Sequence, residues 1–276
     1  MKIALCFHGY MENAGGMSAF HEAYKYIYRK IIKGNDVDIF VHSWDSKNKE
    51  SYDKYYGKNT KKELFEAQRD FSRMPNINDV QQWFDEGIDR SRCPWPTNTI
   101  PRTLSFLYSR KRSIYLKNEF ERENNFEYDC TIVCRFDLGT RGKETPQRYY
   151  GTDFNLLLDS DMNNLHCVYW DQFNQGFSDH WFYSNSSVMT KIAGAYDAVF
   201  KYYHKDSPYI KSALGGWIES NANDDFSNEM LKSSAEKSNN LFKWPRWKCI
   251  DNHKLYKWFF YENNIPLCLV DITRDL

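Results

Sequence analysis

The run YDCTIVCRFDL at residues 128–138 decides the fold. Cys130, Ile132, Val133, Cys134 and Phe136 fill both phases of the period-two alternation, which predicts a strand buried on both faces. Such a strand belongs in the middle of a parallel sheet covered by helices. It ends in Arg135, Phe136 and Asp137, so charged groups stand at its carboxyl end. Two other runs have the same form: KIALCFH (2–8) leads into Gly9, and DVDIFVHSW (36–44) is closed by Asp45. Between them a helix is expected from Ser18, with Phe20, Tyr24, Ile27, Tyr28 and Ile31 at helical spacing and a stop at Gly34-Asn35. Strand, helix and strand in that order predict a parallel pair with a right-handed crossover.

Working outward, residues 46–60 read as a polar, Tyr-rich loop, and Lys61–Ser72 and Ile77–Phe84 as short helices. Three prolines make 93–101 a loop, after which a long helix is expected from about Arg102 to Asn124. Residues 139–152 are polar and basic, and strand-like pieces follow at Phe154–Leu158, Leu165–Trp170 and HWFY (180–183). Helices are expected from Ser184–Ser187 to about Tyr203, from Asp224 to about Lys237, and over His253–Asn263; IPLCLVDI (265–272) is the last strand. The class is α/β, with a central, mostly parallel mixed sheet flanked by helices.

Composition removes several function classes. Thirty-seven basic residues balance 37 acidic ones in 276 residues, which argues against a nucleic-acid binder or a polybasic membrane-surface protein. No apolar run is long enough for an integral membrane segment, so a cytoplasmic protein is expected. The seven cysteines include no CxxC pair, and strand-like surroundings mark Cys6, Cys130, Cys134 and Cys268 as small hydrophobes. Only 13 glycines are present, with neither GxGxxG nor GxxxxGK[ST], which disfavours a dinucleotide dehydrogenase and a P-loop kinase.

Ligands of open α/β sheets bind beyond the carboxyl ends of the strands. If the three main strands are parallel, His8-Gly9, His42 to Asp45, and Arg135 to Asp137 share one edge. Guanidinium, carboxylates, imidazoles and an aromatic face together suit a phosphorylated, base-bearing ligand with a divalent cation. The same residues also permit a structural reading. Arg135 and Asp137 lie two apart on one face and can form a buried salt bridge, and His8 and His42 can be satisfied core histidines.

DVDIFVHSWD, LYSRKRSIYLK, YDCTIVCRFDLG and SDHWFYSNSSVM, in this order, resemble a group of small GT-A-type glycosyltransferases found in polysaccharide-synthesis clusters and in large-virus or phage genomes. The resemblance implies one GT-A-like domain over 1–276. A nucleotide-sugar donor would lie over about 1–140, and a glycan or glycolipid acceptor over about 141–276. It implies donor contacts from His8, Gly9, Asp45, Ser109, Arg112, Arg135 and Asp137, and Mn²⁺ or Mg²⁺ held at Asp137 with His253 as a further ligand. The family's Asp-x-Asp is met here by Arg135-Phe136-Asp137, which keeps only the second Asp; Arg135 can take part of the metal's charge. Asp159-Ser160-Asp161 is a literal Asp-x-Asp and the competing metal site. Ser109, Arg112 and Ser113 share one helix face, which would present Arg112 to the diphosphate.

An inverting transferase needs a carboxylate to take the acceptor's proton, and Asp179 or Glu229 fills that place, with His180 as an alternative. Tyr24, Tyr28, Tyr115, Phe120, Tyr196 and Phe200 read as core, whereas Tyr10, Trp44, Tyr169, Trp170, Trp181 and Trp217 read as aromatics free to stack on a base or sugar. The missing first Asp motivates a rival, a non-catalytic carbohydrate-binding protein on a degenerate transferase fold.

Overall fold

The computed structural model describes residues 1–12, 16–72, 100–139, 154, 156–157, 159–170, 176–204, 207–209 and 252–270. Its elements in chain order are β1 (Lys2–Gly9), α1 (Gly16–Ile27), β2 (Asp36–Ser43), α2 (Lys49–Tyr56), β3 (Thr60–Phe65), α3 (Ile100–Asn124) and β4 (Cys130–Arg135). There follow β5 (Leu165–Cys167), β6 (Tyr169–Trp170), β7 (Gly176–Phe177), β8 (Trp181–Ser184), α4 (Ser186–Ala193), α5 (Ala195–Tyr202), α6 (Asn252–Glu262) and β9 (Leu267–Leu269).

Seven strands form one sheet in the order β3-β2-β1-β4-β8-β5-β9, with β4 in the middle as its apolar run predicts. β1 pairs in parallel with β2 and β4, β2 with β3, and β5 with β9, while β8 runs antiparallel to β4 and β5. Alternate residues of each central strand feed opposite apolar layers. Leu5, Val41 and Ile132 pack with Phe20, Ile27, Tyr52 and Tyr56 of α1 and α2. Cys6, Phe40 and Val133 pack with Leu104, Leu107 and Ile114 of α3, and with Met189, Val199 and Phe260 behind it. The sheet is therefore a mostly parallel, mixed α/β sheet with helices on both faces. Among the described residues no helix is long and apolar enough to cross a membrane.

Several local expectations change. The loop expected at 46–60 contains α2, because Tyr52 and Tyr56, one turn apart, bury against the sheet. The helix expected from Lys61 is instead edge strand β3, drawn out by its ladder to β2, where Val41 meets Glu63 and Ser43 meets Phe65. Phe154, Leu156 and Leu157 form no strand. The helix expected to Tyr203 is two helices, α4 and α5, parted at Gly194; its N-cap is Asn185, whose side chain accepts the Val188 N–H at 2.8 Å. The helices expected at Ile77–Phe84 and Asp224–Lys237 lie outside the described residues.

The buried stripe of α3 is partly polar. Thr103, Arg110, Ser113, Lys117 and Glu121 alternate along it with Leu107 and Ile114. Lys117 donates to Glu121 at 2.9 Å and to Ser186 Oγ, Ser186 donates to Glu121 at 2.8 Å, and Glu121 accepts the Tyr128 N–H at 2.9 Å. This cluster joins α3 to α4 and to the entry of β4.

The chain leaves β4 through Gly139, whose φ is +76°. A Cβ there would fall on the ring of Tyr26, whose hydroxyl accepts the Phe154 N–H at 2.7 Å. Gly139→Ala is expected to cost about 2–4 kcal/mol, from left-handed strain plus overpacking, read as a lower urea midpoint with unchanged slope. An unchanged midpoint would contradict this packing.

Candidate functional site

The parallel ladders set the carboxyl ends of β1, β2 and β4 side by side. His8 is in register with His42 on one flank and Arg135 on the other, so the three side chains share the face covered by α3. Antiparallel β8 begins at the same edge, where the Arg135 N–H donates to the His180 carbonyl at 3.1 Å, bringing Asp179 and His180 beside them. Asn252, at the start of α6, donates to Asp179 Oδ2 at 3.1 Å, and His253 Nδ1 bonds the Phe177 carbonyl at 2.6 Å.

A polar chain locks β1 to β2. The Gly9 N–H donates to Ser109 Oγ at 2.8 Å, Ser109 Oγ lies 2.7 Å from His42 Nδ1, and His42 Nε2 lies 2.9 Å from Glu66 Oε1. Neutral His42 satisfies every link when Ser109 donates to Nδ1 and Nε2–H donates to Glu66. Burial pushes the His42 pKa down to about 4 against the upward pull of Glu66. Gly9 has φ +98°, and its carbonyl accepts Ser43 Oγ at 2.9 Å and the Trp44 N–H at 3.3 Å. The lock holds the start of the first loop in a left-handed turn that glycine adopts without strain.

Arg135 forks onto Asp137, Nε to Oδ1 at 2.9 Å and Nη2 to Oδ2 at 2.5 Å, with 31 % and 16 % of the two side chains exposed. Behind this pair lies Arg110, 1 % exposed. Its Nε donates to His8 Nε2 at 3.1 Å and its Nη2 donates to the Asp179 carbonyl. Its guanidinium stands 4.6 Å from the Phe106 ring, 4.9 Å from Phe182 and 5.0 Å from Tyr256. No carboxylate forms a salt bridge with it among the described residues, so an aromatic box and two neutral acceptors carry its charge. The guanidinium that reaches the edge from α3 is thus Arg110, and Arg112, expected there, is not part of this network. Of three consecutive cations, Arg110 alone continues the buried spacing Thr103, Leu107, Ser113, Ile114 and Lys117, a signal present in the sequence. Ser113, expected to share the site face, turns its hydroxyl back to the Arg110 carbonyl at 2.9 Å.

The field at this edge sorts the acids and bases. Burial, helped by Arg110 and Arg135, holds the His8 pKa well below the ordinary histidine value, and burial with Arg135 lowers His180 to about 4. Burial alone would raise Asp179, but His253, His180, Arg135 and Arg110 outweigh it and hold the carboxyl well below the usual range. Asp179 is therefore firmly ionised, which suits a charge-bearing and positioning group better than a proton acceptor. Native His8, His42 and His180 bind fewer protons than the unfolded chain, so their contribution is present above the unfolded value near 6.5 and is lost as pH falls toward 4. Each of His42 and His180 contributes up to roughly 3 kcal/mol in that window. The urea midpoint should fall steadily from pH 7 to pH 4.5; a flat profile would contradict the neutral histidines.

Asp45 also reaches the edge: it is buried, Oδ2 accepts from Asn48 at 2.7 Å, and Oδ1 has no partner. Trp44 and Trp181, expected as stacking surfaces, are core residues, and Phe200 and Tyr28, expected in the core, are exposed. Tyr10 is 41 % exposed at the end of β1. Asp159 and Asp161 stand near the amino end of β5, where Asp161 Oδ1 accepts the Asn163 N–H at 2.9 Å; this is the sheet edge opposite to His8 and Arg135. Glu229 and Trp217 lie outside the described residues.

The fit of a divalent cation is poor. Both oxygens of Asp137 accept from Arg135, whose positive charge repels a cation there, and His253 uses Nδ1 on a carbonyl. No group of three or more His, Cys, Asp or Glu among the described residues is arranged to hold a metal ion. What the edge does offer is unspent hydrogen-bonding capacity. His8 Nδ1, Trp44 Nε1, Asp45 Oδ1, Arg110 Nη1 and Asn252 Oδ1 are buried without partners among the described residues. Each such atom costs about 1–3 kcal/mol unless water or ligand meets it. The chain matches no protein-family model, no curated protein and no solved structure, so the reading of this edge rests on its own geometry.

Proposed function

We propose that the protein is a glycosyltransferase that takes a sugar from a nucleotide-diphosphate donor bound at the carboxyl edge of β1, β2 and β4 and passes it to a glycan or glycolipid hydroxyl. The observation that carries the reading is the gathering of buried, unpartnered donors and acceptors at that one edge, beside the Arg135–Asp137 fork. A polar ligand of several functional groups, charged at one end, would satisfy them. The mostly parallel mixed sheet is of the kind the GT-A resemblance implies, and ligands of such sheets bind at this edge. In this reading Asp45 accepts hydroxyls of the donor, Tyr10 offers an exposed ring, and the guanidinium groups face the diphosphate. Asp179 fixes the positions and fields of Arg110, His180 and Asn252 rather than taking the acceptor's proton. No step is routed through a metal.

The rival carbohydrate-binding reading gains from the surroundings of Asp179, where His253, His180, Arg135 and Arg110 hold the carboxyl below the usual range and weaken it as a base. Turnover separates the two. UDP-, GDP-, CMP- and dTDP-sugars are incubated with the protein and mixed glycan acceptors, and free nucleotide is measured. Release from one donor, accelerated by acceptor, is expected. Glycan binding by calorimetry with no release from any donor would establish the rival.

A further inference from the structure

We infer that the carboxyl edge binds a diphosphate group through the guanidinium of Arg135, in the field of the buried Arg110, without a divalent cation. The inference rests on the reading of this edge as the donor site, and it departs from the metal the resemblance implies.

Three observations carry it. The first is the Arg135–Asp137 fork. A metal on Asp137 would compete with two charge-assisted hydrogen bonds, at 2.9 and 2.5 Å, and stand beside the Arg135 cation. The carboxylate instead serves to orient the guanidinium, which remains 31 % exposed at its side chain and open to a further anion. The second is Arg110. A buried cation is costly unless it is paired, yet among the described residues no carboxylate bridges this one. The edge formed by its Nε and Nη2 is spent on His8 and on the Asp179 carbonyl, while Nη1 is buried and unmatched. An anion arriving against Arg135 would add to the negative field that Asp137 and Asp179 already set against the two guanidinium groups. The third is the rest of the edge. His8 takes the Arg110 N–H on Nε2, so its proton sits on Nδ1, another buried donor with no acceptor. Three of the five unmatched buried atoms at this edge, His8 Nδ1, Trp44 Nε1 and Arg110 Nη1, are donors, and diphosphate oxygens are acceptors only.

The two roles differ. Arg135 touches the ligand. Arg110 is a positioning residue that holds His8 and the β7–β8 connection and adds to the field. The probe is inorganic pyrophosphate, with UDP, GDP and dTDP alongside, titrated calorimetrically in EDTA and again in Mn²⁺. Wild-type pyrophosphate affinity in EDTA should stay within about threefold of that in Mn²⁺. Arg135→Gln should weaken it at least about tenfold, the loss of one charge-assisted contact. Arg110→Lys keeps the charge without the fork, and should lower affinity while shifting the His8 ring resonances in NMR spectra. Binding that needs Mn²⁺, or an unchanged Kd in Arg135→Gln, would overturn the inference. Mn²⁺-dependent binding of a nucleotide would do so while leaving the transferase reading intact. Pyrophosphate bound in EDTA with no nucleotide bound under either condition would keep the anion site and remove the transferase. No binding of any probe removes both.

Discussion

Asp137→Ala is expected to lower sugar transfer by roughly 10²–10³-fold while the protein keeps its fold. That is the scale at which loss of one preorganised electrostatic contact acts in an active site. The substitution removes no core atoms, since the Asp137 side chain is partly exposed, and leaves the ladders of β4 untouched. It frees Arg135 from its bidentate restraint, so the guanidinium keeps its charge and loses its direction. Asp137→Asn, which accepts from Arg135 through one oxygen only, should fall between wild type and Ala. The check is steady-state transfer with circular dichroism as the fold control. Near-normal turnover in Asp137→Ala would sink the assignment of this edge as the site.

Lys117→Ala should be the most destabilising single change in the described core, at about 3–5 kcal/mol. Lys117 is fully buried, and its removal leaves the Glu121 carboxylate in an apolar layer with only the Ser186 hydroxyl and the Tyr128 N–H to meet it. The pair itself is worth less than this figure, because most of the loss is the unpaired charge left behind. The double variant Lys117→Met with Glu121→Gln should therefore recover much of the stability. Equal losses in the single and double variants, read from urea midpoints, would show that packing rather than charge sets the cost.

The fold was legible where burial on both faces leaves a plain signature. KIALCFH, DVDIFVHSW and YDCTIVCRFDL have few polar residues inside them, and all three are parallel neighbours in the sheet. Edge strand β3 was not legible, because KKELF carries the composition of a surface helix and becomes a strand only through its ladder to β2. The candidate edge was legible to the extent that strand ends are. His8, His42, Arg135 and Asp137 follow from where the apolar runs stop, and the parallel registers bring them together. Arg110 is hard to read from the sequence because a cation on an apolar stripe looks like a flaw in the pattern, yet it lies beneath this edge. Asp179 stands in a short motif before β8, but its charge state depends on His253, Arg135 and Arg110 converging from three other elements.

The aromatic residues carry a similar lesson. Trp44 stacks on Tyr108 at 5.5 Å and lies edge-on to His42 at 4.6 Å, so a tryptophan at a strand end is spent on holding the His42–Ser109 lock. Trp181 packs on Phe154 and Tyr183 in the layer beneath α1. Position at a strand terminus says where a side chain is; burial decides whether a ligand can reach it.

The most direct test of the donor site is a thermal-shift panel of UDP-, GDP-, CMP- and dTDP-sugars, run on the wild-type protein and on Asp137→Ala with and without Mn²⁺. A ligand at 100 times its Kd adds about 2.7 kcal/mol to the folded state, a rise of roughly 5 °C for a chain of this size. The account predicts such a rise with one donor class, present without Mn²⁺ and clearly smaller in Asp137→Ala. No rise with any donor, or an equal rise in Asp137→Ala, would contradict it.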